Sequence, residues 1–170
     1  MVELTTNQKG MVAETAIIHE AVKLGIIVSR PIDDARYDLI LDLPTGLMRV
    51  QCEWTPRIAD VVVVRSYSNR RAREGLRRRV YTREEVDAIA AYCPDNGCSY
   101  LLPAALFCGR TQIYLRLEPS RNNQSVGIHW ASDYEFVAKL RAPGPIAQLG
   151  ERRHGMAEAV GSSPTGSIPL

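Results

Sequence analysis

The sequence predicts an α/β protein in which a mixed central β-sheet is flanked by helices, and three observations carry that expectation. A strongly helical N-terminal segment precedes a series of short strand patterns. Two alternating stretches, Tyr37-Asp38-Leu39-Ile40-Leu41-Asp42 and Arg49-Val50-Gln51-Cys52-Glu53, flank the turn signal Pro44-Thr45-Gly46. An unbroken apolar run, Val61-Val62-Val63-Val64 after Asp60, marks a strand covered on both faces. The order helix, strands, helix, strands suits a layered sandwich.

The elements follow in order. Thr5-Thr6-Asn7 offers N-cap residues for a helix from about Gln8 to Leu24, which Gly25 closes. Its apolar stripe is expected to use Met11, Ile17, Ile18, Ala21, Val22 and Leu24, with Glu14 on or beside it. Ile26 to Ser29 reads as a strand and Pro31 to Arg36 as a polar turn. In the next strand Asp38, Ile40 and Asp42 share one face. In the one after it, Arg49, Gln51 and Glu53 oppose Met48, Val50 and Cys52. Tyr81-Thr82-Arg83-Glu84-Glu85 has the form of a capping box, so a helix is expected over Arg83 to Tyr92, with Val86, Ile89 and Ala90 inward. Strands over Ser99 to Leu102 and Gln112 to Leu117, a polar turn from Pro119 to Gln124, and a short helix over Asp133 to Leu140 complete the core. His129-Trp130 either reads a ligand or packs against that last helix.

A chain of 170 residues, 45% apolar and 24% charged, is long enough to bury one core. No apolar run approaches bilayer length, and the N-terminus lacks the basic and apolar regions of a signal peptide, so a cytoplasmic location is expected. Cys52, Cys93, Cys98 and Cys108 then read as reduced thiols. Cys93 and Cys98 lack a second Cys or His pair at zinc-finger spacing. The net charge of +2 is small, but arginines crowd one region: Arg65, Arg70, Arg71, Arg73, Arg77, Arg78, Arg79 and Arg83, relieved only by Glu74. They form either a solvated loop or a patch that tracks phosphates. Tyr67, Ser68, Asn69 and Tyr81, interleaved among them, favour the patch.

A hairpin across Pro44-Thr45-Gly46 sets Asp38 beside Gln51 and Glu53, with Glu14 available from the helix. Acids gathered on adjacent strands repel one another unless a cation, usually a divalent metal, sits among them. The pattern Gly10-x-x-x-Glu14, Tyr37-Asp38-Leu39 and Val50-Gln51-Cys52 resembles the PD-(D/E)xK nuclease superfamily. It is most similar to the branch of group I intron-associated homing endonucleases. Tyr81-Thr82-x-x-Glu85-Val86-Asp87, Ala91-Tyr92-Cys93, Tyr100-Leu101-Leu102-Pro103 and Tyr114-Leu115-Arg116-Leu117 extend the resemblance over about Asn7 to Leu140.

That resemblance implies a restriction-endonuclease-like core over residues 1–142 and a metal-dependent endonuclease that hydrolyses phosphodiester bonds. It implies double-stranded DNA as substrate, Mg²⁺ (or Mn²⁺) as cofactor, and a homo-oligomer, because cutting both strands takes two sites. Asp38 matches the metal-binding aspartate, Gln51 the first position of the (D/E/Q)-x-K element, and Glu14 the helix glutamate that completes the site. Where the family has lysine, this chain has Glu53. Two readings follow: Glu53 works as the base, as in some restriction enzymes of the superfamily, or the chain binds DNA and metal but is catalytically impaired.

Residues 143–170 differ in character, being rich in Gly, Pro and Ser without apolar periodicity after Leu149, so a disordered tail is expected. Its codons suggest an origin. Ile146 to Arg152 can be written ATA GCT CAG TTG GGA GAG CGC, which resembles a tRNA D-arm. Val160 to Thr165 can be written GTC GGT TCG AGT CCG ACT, which resembles a T-arm. Between them His154 as CAT supplies the uridine before an anticodon encoded by Gly155, and the flanking codons pair as its stem. The tail thus reads as translated from a tRNA gene.

Overall fold

The computed structural model describes residues 3–72, 75–119 and 127–142. The expectations for Arg73, for most of the polar turn after Pro119 and for the tail over 143–170 lie outside the described residues.

The chain runs α1 (Thr6–Lys23), β1 (Ile27–Ser29), β2 (Leu39–Leu43), β3 (Gly46–Trp54), β4 (Arg57–Ile58), β5 (Val61–Arg65), β6 (Tyr67–Ala72) and β7 (Gly75–Val80). It continues through β8 (Ala88–Cys93), β9 (Cys98–Pro103), α2 (Ala104–Phe107), β10 (Gln112–Arg116), β11 (His129–Trp130), a 3-10 turn (Ala131–Tyr134) and α3 (Phe136–Arg141). Thr5 caps α1: its hydroxyl accepts from Gln8 N–H while Gln8 Oε1 accepts from Thr5 N–H at 2.8 Å. No helix among the described residues is long and apolar enough to cross a membrane.

Five strands form the main sheet in the order β1-β2-β3-β8-β9, antiparallel except for β3 and β8, which run parallel. A second sheet has the order β11-β10-β5-β4. Strand alternation sorts the core into two layers. Leu39, Leu41, Met48, Val50, Cys52, Ala88, Ala90 and Leu101 face α1 and α3, meeting Ile17, Ala21 and Phe136. Ile89, Ala91, Cys93, Tyr100 and Leu102 face the second sheet, meeting Val62, Val64, Ile113 and Leu115. Each fully buried Leu or Ile stabilises the sandwich by about 1.5–3 kcal/mol. Mixed sheets with flanking helices are the expected α/β architecture.

Two local expectations are corrected. Residues 88–93 form not a helix but β8, next to the central strand β3, with Val50 opposite Ala88 and Trp54 opposite Tyr92. Only one turn forms at Thr82–Val86, closed by Val86 N–H to Thr82 O. Asp87 then locks the chain to β3: its carboxylate accepts from Arg49 N–H at 2.8 Å and from the Arg49 guanidinium at 3.1 Å. The helical spacing of Val86, Ile89 and Ala90 was coincidental, because a strand buried on both faces carries a continuous apolar run. In α1 the buried stripe is Ala13, Ile17 and Ala21, while Met11 and Val22 are 65% and 57% exposed. The described part of the arginine-rich stretch is paired backbone. It forms a two-stranded ribbon, β6 paired with β7, with Ser68 opposite Arg79 and Asn69 opposite Arg78.

Candidate active site

The hairpin β2–β3 places Asp38 one residue before its strand, where its N–H still donates to Val50 O at 2.9 Å. Its carboxylate lies over β3: Oδ2 accepts from Cys52 N–H at 2.8 Å and from Gln51 Nε2 at 2.6 Å. Among the described residues Oδ1 has no hydrogen-bond partner. Gln51 and Glu53 alternate out of the α1-facing core, and Glu53 ends half-buried against the Tyr81 hydroxyl, to which it is hydrogen-bonded. All three residues line a cleft of about 460 Å³ whose opposite wall is the N-terminal half of α1, including Glu14, with Arg65 also on its lining. Glu14 forms an ion pair with Arg30.

Burial sets the electrostatics. It pushes the Asp38 carboxyl above its usual range, an effect tempered by the Cys52 N–H and by Arg30. Glu53 is pushed up to about 8, first by burial and then by the Asp38 charge, against the pull of Arg65 and the Tyr81 hydrogen bond. The same burial, with Glu53 beside it, raises the Tyr81 hydroxyl, which therefore stays a donor. The Cys52 thiol is also raised by burial, so it is no nucleophile here.

The donor set is all oxygen, which fits a hard divalent cation. The free Oδ1 of Asp38 and the raised carboxyls of Asp38 and Glu53 are what such a cation would relieve. As placed, the Gln51 amide turns its nitrogen to Asp38; rotating the amide would present Oε1 instead. Glu14 is engaged by Arg30, and among the described residues no three acids, Cys or His already converge on one point. Asp38 and Gln51 would hold the ion, with Glu14 joining once it leaves Arg30 and Glu53 lining the cleft beside them.

The sequence and the fold that carry this cleft both have counterparts among known proteins. The sequence pattern of the PD-(D/E)XK endonucleases matches residues 4–137. The chain belongs to the PD-(D/E)XK endonuclease family. Its fold is similar to that of a solved bacterial homing endonuclease, I-Ssp6803I, with 25% identity over 89% of this chain and 99% of the other and a TM-score of 0.67. No curated protein is similar in sequence to the chain. Within the PD-(D/E)XK fold, Glu14, Asp38, Gln51, Glu53 and Arg65 come together in one cleft. Arg77, Arg78 and Arg79 lie on the ribbon instead. Arg78 stacks over the Tyr67 ring at 4.2 Å, and Arg79 pairs with Glu85. Arg70 and Arg71 belong to β6 by their backbone.

Three residues of the cleft and its surroundings were not singled out from sequence as site residues. Arg36 stacks over the Tyr81 ring at 4.7 Å, pairs with Glu85 at 3.4 Å and donates to Ser68 Oγ and Val80 O, so it ties the ribbon to the residue that holds Glu53. Its position directly before Tyr37-Asp38 was the available signal. Tyr81 was read only as a stacking group. Lys9 lines the cleft from α1, one residue before the Gly10-x-x-x-Glu14 pattern. His129 sits between Arg110, at 3.2 Å, and the Tyr134 hydroxyl, at 3.4 Å.

Proposed function

We propose that the chain is a metal-dependent DNA endonuclease of the homing or mobile-element type. It hydrolyses phosphodiester bonds in double-stranded DNA with Mg²⁺ (or Mn²⁺) and works as a homo-oligomer. The observation that carries this reading is the convergence of Glu14, Asp38, Gln51 and Glu53 on one cleft in a PD-(D/E)XK fold. The likeness to a bacterial homing endonuclease supports the type.

Asp38, Gln51 and Glu14 are the metal supports. The cation, when bound, contributes Lewis-acid stabilisation of charge on the scissile phosphate. Glu53 accepts the proton of the attacking water as the new phosphorus–oxygen bond forms and the bond to the leaving oxygen breaks. A carboxyl pushed up to about 8 suits that task, because a base works best with its pKa near the operating pH. The Tyr81 hydroxyl orients it. Arg65 and the arginines Arg70, Arg71, Arg73, Arg77, Arg78 and Arg79 track the DNA phosphates. One cleft per chain cuts one strand, so a duplex break takes two copies related by a twofold axis.

A second reading rests on Glu53 itself. The family's lysine is missing from β3, and a DNA-binding protein of the same fold with impaired catalysis would keep the ribbon and the acid pair. Incubating the purified chain with supercoiled plasmid and Mg²⁺ or Mn²⁺, beside Asp38→Ala, separates the two. Metal-dependent nicking that Asp38→Ala abolishes supports the enzyme; no nicking, or equal nicking by the variant, rejects it. A large gain on Glu53→Lys would mean that the natural chain is compromised.

A further inference from the structure

We propose that Lys9 supplies, from α1, the positive charge that this family places on the strand position occupied here by Glu53. The proposal rests on the endonuclease reading above and adds a residue to its site.

The cleft is lined on the α1 side by Thr6, Gly10 and Glu14, spaced four apart and so stacked along one helix face, with Lys9 beside them. Lys9 is half-buried, and among the described residues its ammonium has neither an ion pair nor a hydrogen bond. A long cation lodged at a cleft of carboxylates without a partner of its own is poised for a ligand. The wall next to it is open at Gly10, where a Cβ built on the backbone would meet nothing within 4 Å.

The charges across the cleft favour such a group. Three carboxylates line it, Glu14, Asp38 and Glu53, and the DNA phosphate adds a fourth negative group. Arg30 is taken up by Glu14. Arg65, exposed at the end of β5, lies on the cleft lining and its charge bears on Glu53. That leaves Lys9 as the cation on the helix side. Its flexible four-carbon stem carries a compact ammonium with three donors, suited to one non-bridging phosphate oxygen as charge builds there. In effect the acid and the base of the family's strand motif have parted, the acid at Glu53 and the cation on the helix.

The test uses the full chain with Lys9→Met, Lys9→Arg, Arg65→Met and the double variant Lys9→Met/Glu53→Lys. Methionine matches the stem, lacks the charge and favours helix, so the fold is expected to persist, which circular dichroism checks. Single-turnover nicking of supercoiled plasmid in Mg²⁺ should fall about tenfold or more in Lys9→Met, as when one donor to a transition-state oxyanion is removed. Lys9→Arg should keep part of the rate, and the double variant should regain it because the cation returns to the strand. Affinity for a fluorescent DNA duplex in Ca²⁺ should change little in Lys9→Met but drop in Arg65→Met. A readout free of turnover is Mn²⁺ titration of the DNA-free protein: losing a neighbouring cation should tighten Mn²⁺ binding several-fold in Lys9→Met.

Unchanged nicking together with unchanged Mn²⁺ affinity in Lys9→Met would overturn the proposal and leave the endonuclease reading intact. Equal losses of rate and DNA affinity would overturn it too, reducing Lys9 to a binding contact. Absence of nicking by both the natural chain and Glu53→Lys would remove the endonuclease reading, and this proposal with it.

Discussion

Glu53 carries the largest consequence of burial in the cleft. Its carboxyl is pushed from 4.5 to about 8, so the folded chain keeps a proton that the unfolded chain releases. A group whose pKa rises on folding contributes stability that is fully present below its unfolded pKa and is lost as pH rises through the folded one. Metal-free protein should therefore lose stability through this group between about pH 4.5 and about pH 8, and Asp38, raised in the same direction, adds to the slope. Glu53→Gln, neutral throughout, should flatten it. Thermal melts in chelator across that range check the effect, and an identical slope in the variant would place the burial cost elsewhere. Asp38, Gln51 and Glu53 were legible in sequence because strand alternation and one turn signal fix their relative positions. Arg30, Arg36 and Tyr81 were not, since each acts through a partner far along the chain that no local period encodes.

At the scale of elements, β8 and the ribbon decide how the site is held. The Arg49–Asp87 pair anchors β8 beside β3, with both side chains largely buried. Asp87→Ala leaves the guanidinium without its carboxylate, so a loss of about 3 kcal/mol is expected, read from denaturant unfolding. A midpoint within experimental scatter of the natural chain would show that the main-chain pairing alone holds β8. On the proposed reading the ribbon serves the DNA rather than the core. Neutralising Arg77, Arg78 and Arg79 together should weaken binding to any DNA sequence and lower the slope of log K against log salt by about two to three. An unchanged slope would return these arginines to plain solvation. Both elements were hidden in the sequence for physical reasons. Alanines at helical spacing satisfy a buried strand as well, and a sequence dominated by arginine leaves no apolar alternation to read.

For the whole molecule, the helix–sheet–sheet layering explains why the central run of valines and the β2–β3 alternation were readable. Each strand must hide one or both faces, and that requirement is written in its residues. The division between core and tail was read from composition, with the tail resembling translated tRNA. A chain ending at Ala142 is therefore expected to nick plasmid as the full chain does, and a loss of activity on truncation would give the tail a role. In the encoding DNA, synonymous codons that break the tRNA stems would remove the proposed origin. The parallel pairing of β3 with β8 has one more consequence, which concerns the order of assembly. Asp38 and Gln51 are 13 residues apart and belong to a single hairpin. Glu53 meets Tyr81 only after the chain over residues 54–80 has looped out and returned, and β8 docks later still along the chain. Closing that long loop is slow and the hairpin is fast. During folding the chain should thus bring Asp38 and Gln51 together before Tyr81 reaches Glu53, so on the proposed reading an early intermediate would grip a cation before it could use one.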